Sequence, residues 1–298
     1  KKGSPMPHGM EPRIELLRPL NSVMGGVAVA VGALVAAGLP LLHSENLWSV
    51  GLAMLVAFLY TGAGNALNDY YDRFTDRVNH PKRPIPSKRI RPESARKFSV
   101  LLFAAGMLLS LFIGLPRLNW LTLGIAALNS LRLAAYEMRL KARGFSGNIT
   151  VSWLTASLFL FGGAAAVPSL GPSVFPAPLL VLALLAFLAS VGREIIKGIE
   201  DVEGDRDRRT LPRLVGPIPA GRIAGMWIGL AVALSPLPVF PLAMFRPEWY
   251  IPAVLLADAM FIYSVRVVFR NPGKASRAAK LAMLLALVAF LLGALTVQ

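Results

Sequence analysis

Nine apolar stretches run near residues 20–42, 47–66, 98–116, 118–138, 148–170, 174–192, 224–245, 249–268 and 279–296. Each is close to the ~17–25 residues that a helix needs to cross a bilayer. Inside lipid every backbone N–H and C=O must find its partner within the protein, so stretches of this length read as helices. The expected fold class is therefore all-α, an integral membrane bundle of nine transmembrane helices. Composition agrees, with 55% hydrophobic and 16% charged residues and a mean hydropathy of +0.58. The fourth stretch is the weakest, because Arg132 interrupts it. No linker separates soluble units, which leaves residues 1–17 as an N-terminal segment and 18–298 as a single domain.

The net charge of +15 would point to nucleic acid in a soluble chain, but its distribution here gives another reading. Of the 31 Lys and Arg, 26 lie at the N-terminus or in the segments following the second, fourth, sixth and eighth stretches, three more (Arg132, Arg266 and Lys280) fall within stretches near those same borders, and only Arg117 and Arg246 lie on the other side. By the positive-inside rule this places the N-terminus in the cytoplasm and the C-terminus outside, in a multi-pass protein of the cell membrane. The lipid bilayer is the expected partner, and nucleic acid is not. With no cysteine, disulfides, thiolate metal sites and cysteine nucleophiles are excluded. The first fifteen residues lack the apolar core and cleavage site of a signal peptide.

Against that background the stretch Asn68-Asp-Tyr-Tyr-Asp-Arg-Phe-Thr-Asp76 stands out, because three carboxylates follow directly on an apolar run. If the second helix continues through it, Asn68, Asp72 and Asp76 fall at i, i+4 and i+8 on one face. They would lie at a helix C-terminus, where the backbone dipole repels them, so something positive must hold them. Mg²⁺, bound by one or two carboxylates and completed by phosphate oxygens, suits such a set. A second cluster, Lys197-Gly-Ile-Glu-Asp201-Val-Glu-Gly-Asp205, again follows an apolar run and again spaces two aspartates at i, i+4. Two acidic clusters at borders on the same side, each flanked by Lys and Arg such as Lys197, point to two metal ions clamping one polyanion. Their recurrence hints at an internal duplication, although matched tasks alone would also produce two similar motifs.

Other polar residues share that border. After the first cluster, Asn79-His-Pro-Lys-Arg83-Pro-Ile-Pro-Ser87 is a rigid, extended path offering Arg83 to a diphosphate, whereas Lys88 and Arg89 read as positive-inside anchors. Asn21 begins the first span, Asn148 begins the fifth, and Tyr136 and Lys141 end the fourth; Lys141 serves equally as a snorkelling lysine or a diphosphate ligand. Asp258, deep in the eighth span, reads as an interhelix hydrogen bond. Gly32 and Gly162, among other span glycines, read as packing positions. His8, His43 and His80 show no metal-ligand spacing.

Taken together, Arg18-Pro-Leu-Asn21, Asn68-Asp-x-x-Asp72-x-x-x-Asp76, Arg83-Pro-Ile-Pro-Ser87, Leu140-Lys141, Gly147-Asn148, Asp201-x-Glu-Gly-Asp205-Arg and Thr210-Leu-Pro212 resemble the UbiA superfamily of intramembrane prenyltransferases over nearly the whole chain. The resemblance implies nine helices around a central cavity open to lipid. It also implies that Asn68, Asp72, Asp76, Asp201 and Asp205 hold Mg²⁺ ions binding the diphosphate of an isoprenyl donor, with Asp72, Asp76, Asp201 and Asp205 at the catalytic centre. Asn21, Arg83, Tyr136, Lys141, Asn148 and Lys197 would contact substrate. Gly198 departs from the pattern, standing where relatives commonly carry Asp or Asn, and the loop from Asp205 to Thr210 is shorter than usual.

The chemistry implied is departure of diphosphate from an allylic carbon, with the cation shielded from water until a lipophilic or aromatic acceptor attacks. Overall similarity leans towards the archaeal-type branch that prenylates geranylgeranylglyceryl phosphate in ether-lipid synthesis, with an aromatic acceptor such as 4-hydroxybenzoate, as in quinone biosynthesis, the alternative. Two other classes make different demands. A CDP-alcohol phosphotransferase calls for glycine and then Ala-Arg after the second Asp, where this chain has Arg73 and Phe74, and a cation-coupled transporter would centre on Asp258.

Overall fold

Proline opens most of the long helices: its fixed φ suits the first turn, and its missing N–H is one that has no intrahelical partner there. The structure, a computed structural model, describes residues 11–115, 119–167, 175–205 and 208–297. Short α1 (Pro12–Leu17) leads into α2 (Pro19–Ala37), and α3 (Leu47–Tyr71) is followed by one-turn α4 (Asp76–Asn79). Next come α5 (Pro92–Gly114), α6 (Trp120–Met138), α7 (Ser146–Ala166) and α8 (Ala177–Glu200). The chain ends with short α9 (Leu211–Val215), then α10 (Pro217–Leu234), α11 (Pro247–Val267) and α12 (Pro272–Ala294).

Among the described residues nine helices have 18 or more residues, and eight of them are apolar and long enough to cross a membrane. The ninth is α6, the stretch carrying Arg132. Most of residues 1–17, part of the fifth stretch and Arg206 of the second acidic motif lie outside the described residues.

One sequence expectation is corrected. The seventh stretch was expected to run helical to residue 245, but α10 ends at Leu234. Pro236, Pro238 and Pro241 follow, and residues without N–H donors cannot continue the helical ladder. The condition placed on the second helix, that it continue through Asp76, is not met: α3 stops at Tyr71 and residues 72–75 form turns before α4.

Each long helix packs on the next, and α12 returns to α2, which closes the bundle into a ring. Cross-contacts of α2 with α7 and of α8 with α12 draw the ring tight. Glycine makes the first of these possible: a Cβ on Gly32 would run into the Phe159 backbone, and one on Gly162 into that of Val29. Outward-facing Leu101, Leu131 and Leu256 are exposed, as expected of side chains that meet lipid. Inside the ring lies a cavity of about 370 Å³, lined by every long helix except α5. The chain is a multi-pass membrane protein built around that chamber.

Candidate active site

The two acidic clusters fold into the same local shape. Asp72 caps the C-terminus of α3 at φ −84°, ψ 2°, and Asp201 caps α8 at φ −86°, ψ 1°. In each case the aspartate four residues on donates its backbone N–H to the carbonyl of the first, Asp76 to Asp72 at 2.8 Å and Asp205 to Asp201 at 3.2 Å. Near-helical spacing therefore survives the break after Tyr71. Thr75 reinforces the first turn, its hydroxyl donating to the Asp72 carbonyl at 3.0 Å.

Three side chains tie one cluster to the other. Arg208 reaches Asp72 Oδ1 at 2.5 Å and Asp205 Oδ1 at 3.1 Å. Asn79 donates to the Asp201 carbonyl at 3.0 Å and accepts from the Gly204 N–H at 3.1 Å. His80 Nε2 stands 3.2 Å from Asp201 Oδ1. A two-residue parallel pairing of Arg143–Gly144 (β1) with Arg209–Thr210 (β2) also fastens the loop before α7 to the loop after α8. Residues more than a hundred positions apart thus line one pocket of about 60 Å³, with Asp72, Asp76, Asp201 and Asp205 in its walls.

Cations answer every one of these acids. Asp72 takes Lys141 at 2.5 Å as well as Arg208; Asp76 takes Arg83 at 2.7 Å; Asp201 takes Lys197. Asp69, beside them, takes Arg18 at 2.5 Å. Burial opposes the charged form of Asp72, but Lys141 and Arg208 outweigh it and hold the carboxyl well below its ordinary range, at about 2. Asp201 is lowered in the same way, against its burial, by Lys197 and His80. Burial wins at Asp76 and Asp205, whose carboxyls are raised despite Arg83 and Arg208. One motif thus pairs an aspartate held ionised with a second that is more readily protonated, and the other motif repeats the arrangement.

Of the residues singled out from sequence, Tyr136, Lys141, Asn148 and Lys197 line the acidic pocket beside the four aspartates. Asn21 and Asn68 line the larger cavity instead, and Asn68 is engaged by Arg18 at 3.4 Å and Glu137 at 3.1 Å. Arg83 lines neither; it stands behind Asp76 and Asp69 as a brace. Gly198 does line the acidic pocket, and a Cβ there would meet only Pro212 at 3.4 Å. Asp258 makes its expected interhelix bond, accepting from the Ser235 hydroxyl at 2.7 Å.

Sequence reasoning missed Arg208, Glu137, Asn79 and His80. Glu137 sits four residues before Lys141 on the same face, a spacing that signals a pair, and its Oε2 lies 3.6 Å from Lys141 Nζ. Arg208 lies three residues after Asp205, a spacing that signals that pair but not its second partner, Asp72, and nothing in spacing marks Asn79, whose partners are distant in the chain.

Tyr136, Lys141 and Lys197 line both the pocket and the larger cavity, whose inner walls include Leu158, Phe159, Leu185 and Phe290. A polar, charge-rich mouth thus opens on an apolar chamber. The profile of the UbiA prenyltransferase family matches residues 22–294. The chain belongs to that family. UbiA membership sets aside the phosphotransferase and transporter readings, and it agrees with the ring of helices around one cavity.

Among its relatives in the family, digeranylgeranylglyceryl phosphate synthase of Methanosarcina mazei is 41% identical, the match covering 97% of this chain and 100% of that protein. A solved structure of a digeranylgeranylglyceryl phosphate synthase superposes with a TM-score of 0.68 at 34% identity, covering 95% of this chain and 98% of that one. A UbiA homologue from Archaeoglobus fulgidus, solved with DMAPP and Mg²⁺, shares the fold with a TM-score of 0.61 at 16% identity, covering 94% of this chain and 99% of that one.

Proposed function

We propose that this chain is a Mg²⁺-dependent prenyltransferase that moves a geranylgeranyl group from its diphosphate to the free hydroxyl of geranylgeranylglyceryl phosphate, at the cytoplasmic face of the membrane. The observation that carries the reading is Arg208, which bridges Asp72 and Asp205 and so joins the two acidic motifs across the mouth of an apolar chamber. The name of the Methanosarcina mazei relative supports the acceptor, and the Archaeoglobus fulgidus homologue with DMAPP and Mg²⁺ supports the donor class and the metal. Orientation rests on the basic residues gathered at the borders on the site's side.

The donor set fits a hard divalent ion. Asp72, Asp76, Asp201 and Asp205 offer only oxygen to the pocket they line, and among their carboxylate atoms Asp201 Oδ1 meets only His80 Nε2, at 3.2 Å. Ions held there by one or two carboxylates each would be completed by phosphate oxygens. When bound there, Mg²⁺ supplies the positive charge that makes diphosphate a better leaving group.

The chain's own residues do the rest. Lys141, Lys197 and Arg208 are positioned to turn from carboxylate to diphosphate and stabilise charge as the allylic C–O bond breaks. The apolar walls hold the prenyl chain and keep water from the cation until the acceptor oxygen closes the ether bond and sheds its proton. Purified protein given geranylgeranyl diphosphate and a panel of acceptors, with products identified by mass spectrometry, tests the reading. The expected product is digeranylgeranylglyceryl phosphate, abolished by chelation and lost in Asp72→Asn. Prenylated 4-hydroxybenzoate with no ether lipid would overturn the acceptor, and undiminished transfer by Asp72→Asn would overturn the site.

A further inference from the structure

The acidic pocket leaves some of the cavity's cations unexplained. Lys280 lies eight positions into α12 from Pro272, and Arg193 lies seven positions before the end of α8 at Glu200. At ~1.5 Å per residue both sit roughly 10–12 Å inside the site end of the bundle. The two helices pack against each other, and both residues line the large cavity and not the acidic pocket.

Each keeps a donor without a partner among the described residues. Among the described residues no carboxylate lies within ion-pair distance of Lys280. Arg193 pairs with its own neighbour Glu194, and its Nε is buried without any hydrogen-bond partner. Arg18, already held by Asp69, lines the same cavity, so these three cations share one chamber. Like charges gathered beside apolar walls in a membrane protein are costly unless an anion joins them. The diphosphate does not fill that need, since its pocket has Lys141, Lys197 and Arg208 of its own.

We propose that Lys280 and Arg193, with Arg18 beside them, form a second anion site that binds the phosphomonoester headgroup of the lipid acceptor. The inference rests on the proposed function, under which the acceptor carries one such phosphate on an apolar chain. Lys280 and the buried Arg193 Nε supply charge-assisted donors to that headgroup, and the neighbouring Leu287 and Phe290 of α12 offer the chain an apolar wall. The site thereby selects phosphorylated acceptors over their neutral alcohols.

The test compares wild type, Lys280→Met and Lys280→Arg, full-length in detergent and checked by size exclusion. Each receives saturating geranylgeranyl diphosphate and either geranylgeranylglyceryl phosphate or its dephosphorylated alcohol. Loss of one charge-assisted contact predicts that Lys280→Met raises KM for the phosphorylated acceptor by about tenfold or more. KM for the donor and kcat/KM for the alcohol stay within about twofold, and Lys280→Arg restores most of the loss. An equal loss on both acceptors, or a raised donor KM, would overturn the site. Inhibition by inorganic phosphate at concentrations no higher than the lipid's would assign the cations to free phosphate instead and overturn the headgroup reading. Should wild type prenylate neither acceptor, the functional reading falls by itself; calorimetric titration of wild type and Lys280→Met with geranylgeranylglyceryl phosphate then decides the site, and equal heats would refute it.

Discussion

The contact between Gly204 and Asn79 offers a direct test of whether the two acidic motifs work as one unit. A Cβ at Gly204 would come within 2.5 Å of the Asn79 carboxamide, and the three nearest atoms it would meet all belong to that one side chain. Gly204→Ala therefore displaces Asn79 and breaks its two cross-links, to the Asp201 carbonyl and from the Gly204 N–H. At roughly 0.5–1.5 kcal/mol for each hydrogen bond the loss is about 1–3 kcal/mol. Asn79→Ala breaks the same two bonds and should cost about as much. In the double variant the methyl group meets no carboxamide, so adding Gly204→Ala to Asn79→Ala should cost only a few tenths of a kcal/mol. The expected coupling is thus about 1–3 kcal/mol, roughly 5-fold to 150-fold in kcat/KM for the donor. Steady-state prenyl transfer by all four proteins at saturating Mg²⁺ measures it. Additive losses would show that Asn79 does not join the motifs and would remove that strut from the site.

Two further perturbations probe the scaffold. Gly162→Ala drives a methyl group into the Val29 backbone, where no flexible side chain can yield, so the melting temperature in detergent should fall by the equivalent of about 1–3 kcal/mol; an unchanged value would mean that α2 and α7 are not in backbone contact. Asp258→Leu removes the acceptor of the Ser235 hydroxyl and should lower stability by about 1 kcal/mol while Asp258→Asn, which keeps an acceptor, does not; a changed donor KM in Asp258→Asn would assign Asp258 to the substrate site rather than to the α10–α11 contact.

The sequence was readable wherever one physical constraint acted alone. Lipid demands long apolar helices, so α2, α3, α7 and α11 were legible to within about five residues, whereas α8 runs eight residues further and α12 starts seven residues earlier because their charged end turns stay helical; α6 was correctly the weakest, carrying Arg132. Hydropathy failed at residues 235–245, where apolar composition persists but prolines remove the backbone donors. The acids were legible because carboxylates at a membrane border are costly. Their partners were not, because Arg208 and Asn79 lie within a generally basic or polar background, and only the fold brings them to Asp72 and Asp201. Arg83 was legible as a cation near the site but not as a brace, since spacing does not show which carboxylate a side chain faces.

The charge pattern accounts for why the site is built from paired ions and not from bare acids. Two long helices end at Asp72 and Asp201, so two C-terminal dipoles add negative potential where carboxylates already gather. Lys141, Lys197 and Arg208 offset that potential and hold the loops in register. A diphosphate entering the pocket competes for those cations, and each one it gains leaves a carboxylate in need of positive charge. Donor and divalent ion therefore stabilise each other's binding: either alone must break ion pairs that the two together replace. Donor affinity should then rise with Mg²⁺ concentration by more than free-solution chelation accounts for, and Lys141→Met should weaken this linkage by leaving Asp72 without one of its two cations. Titrations of donor at several Mg²⁺ concentrations, in wild type and in Lys141→Met, read the effect; the same Mg²⁺ dependence in both proteins would refute the exchange.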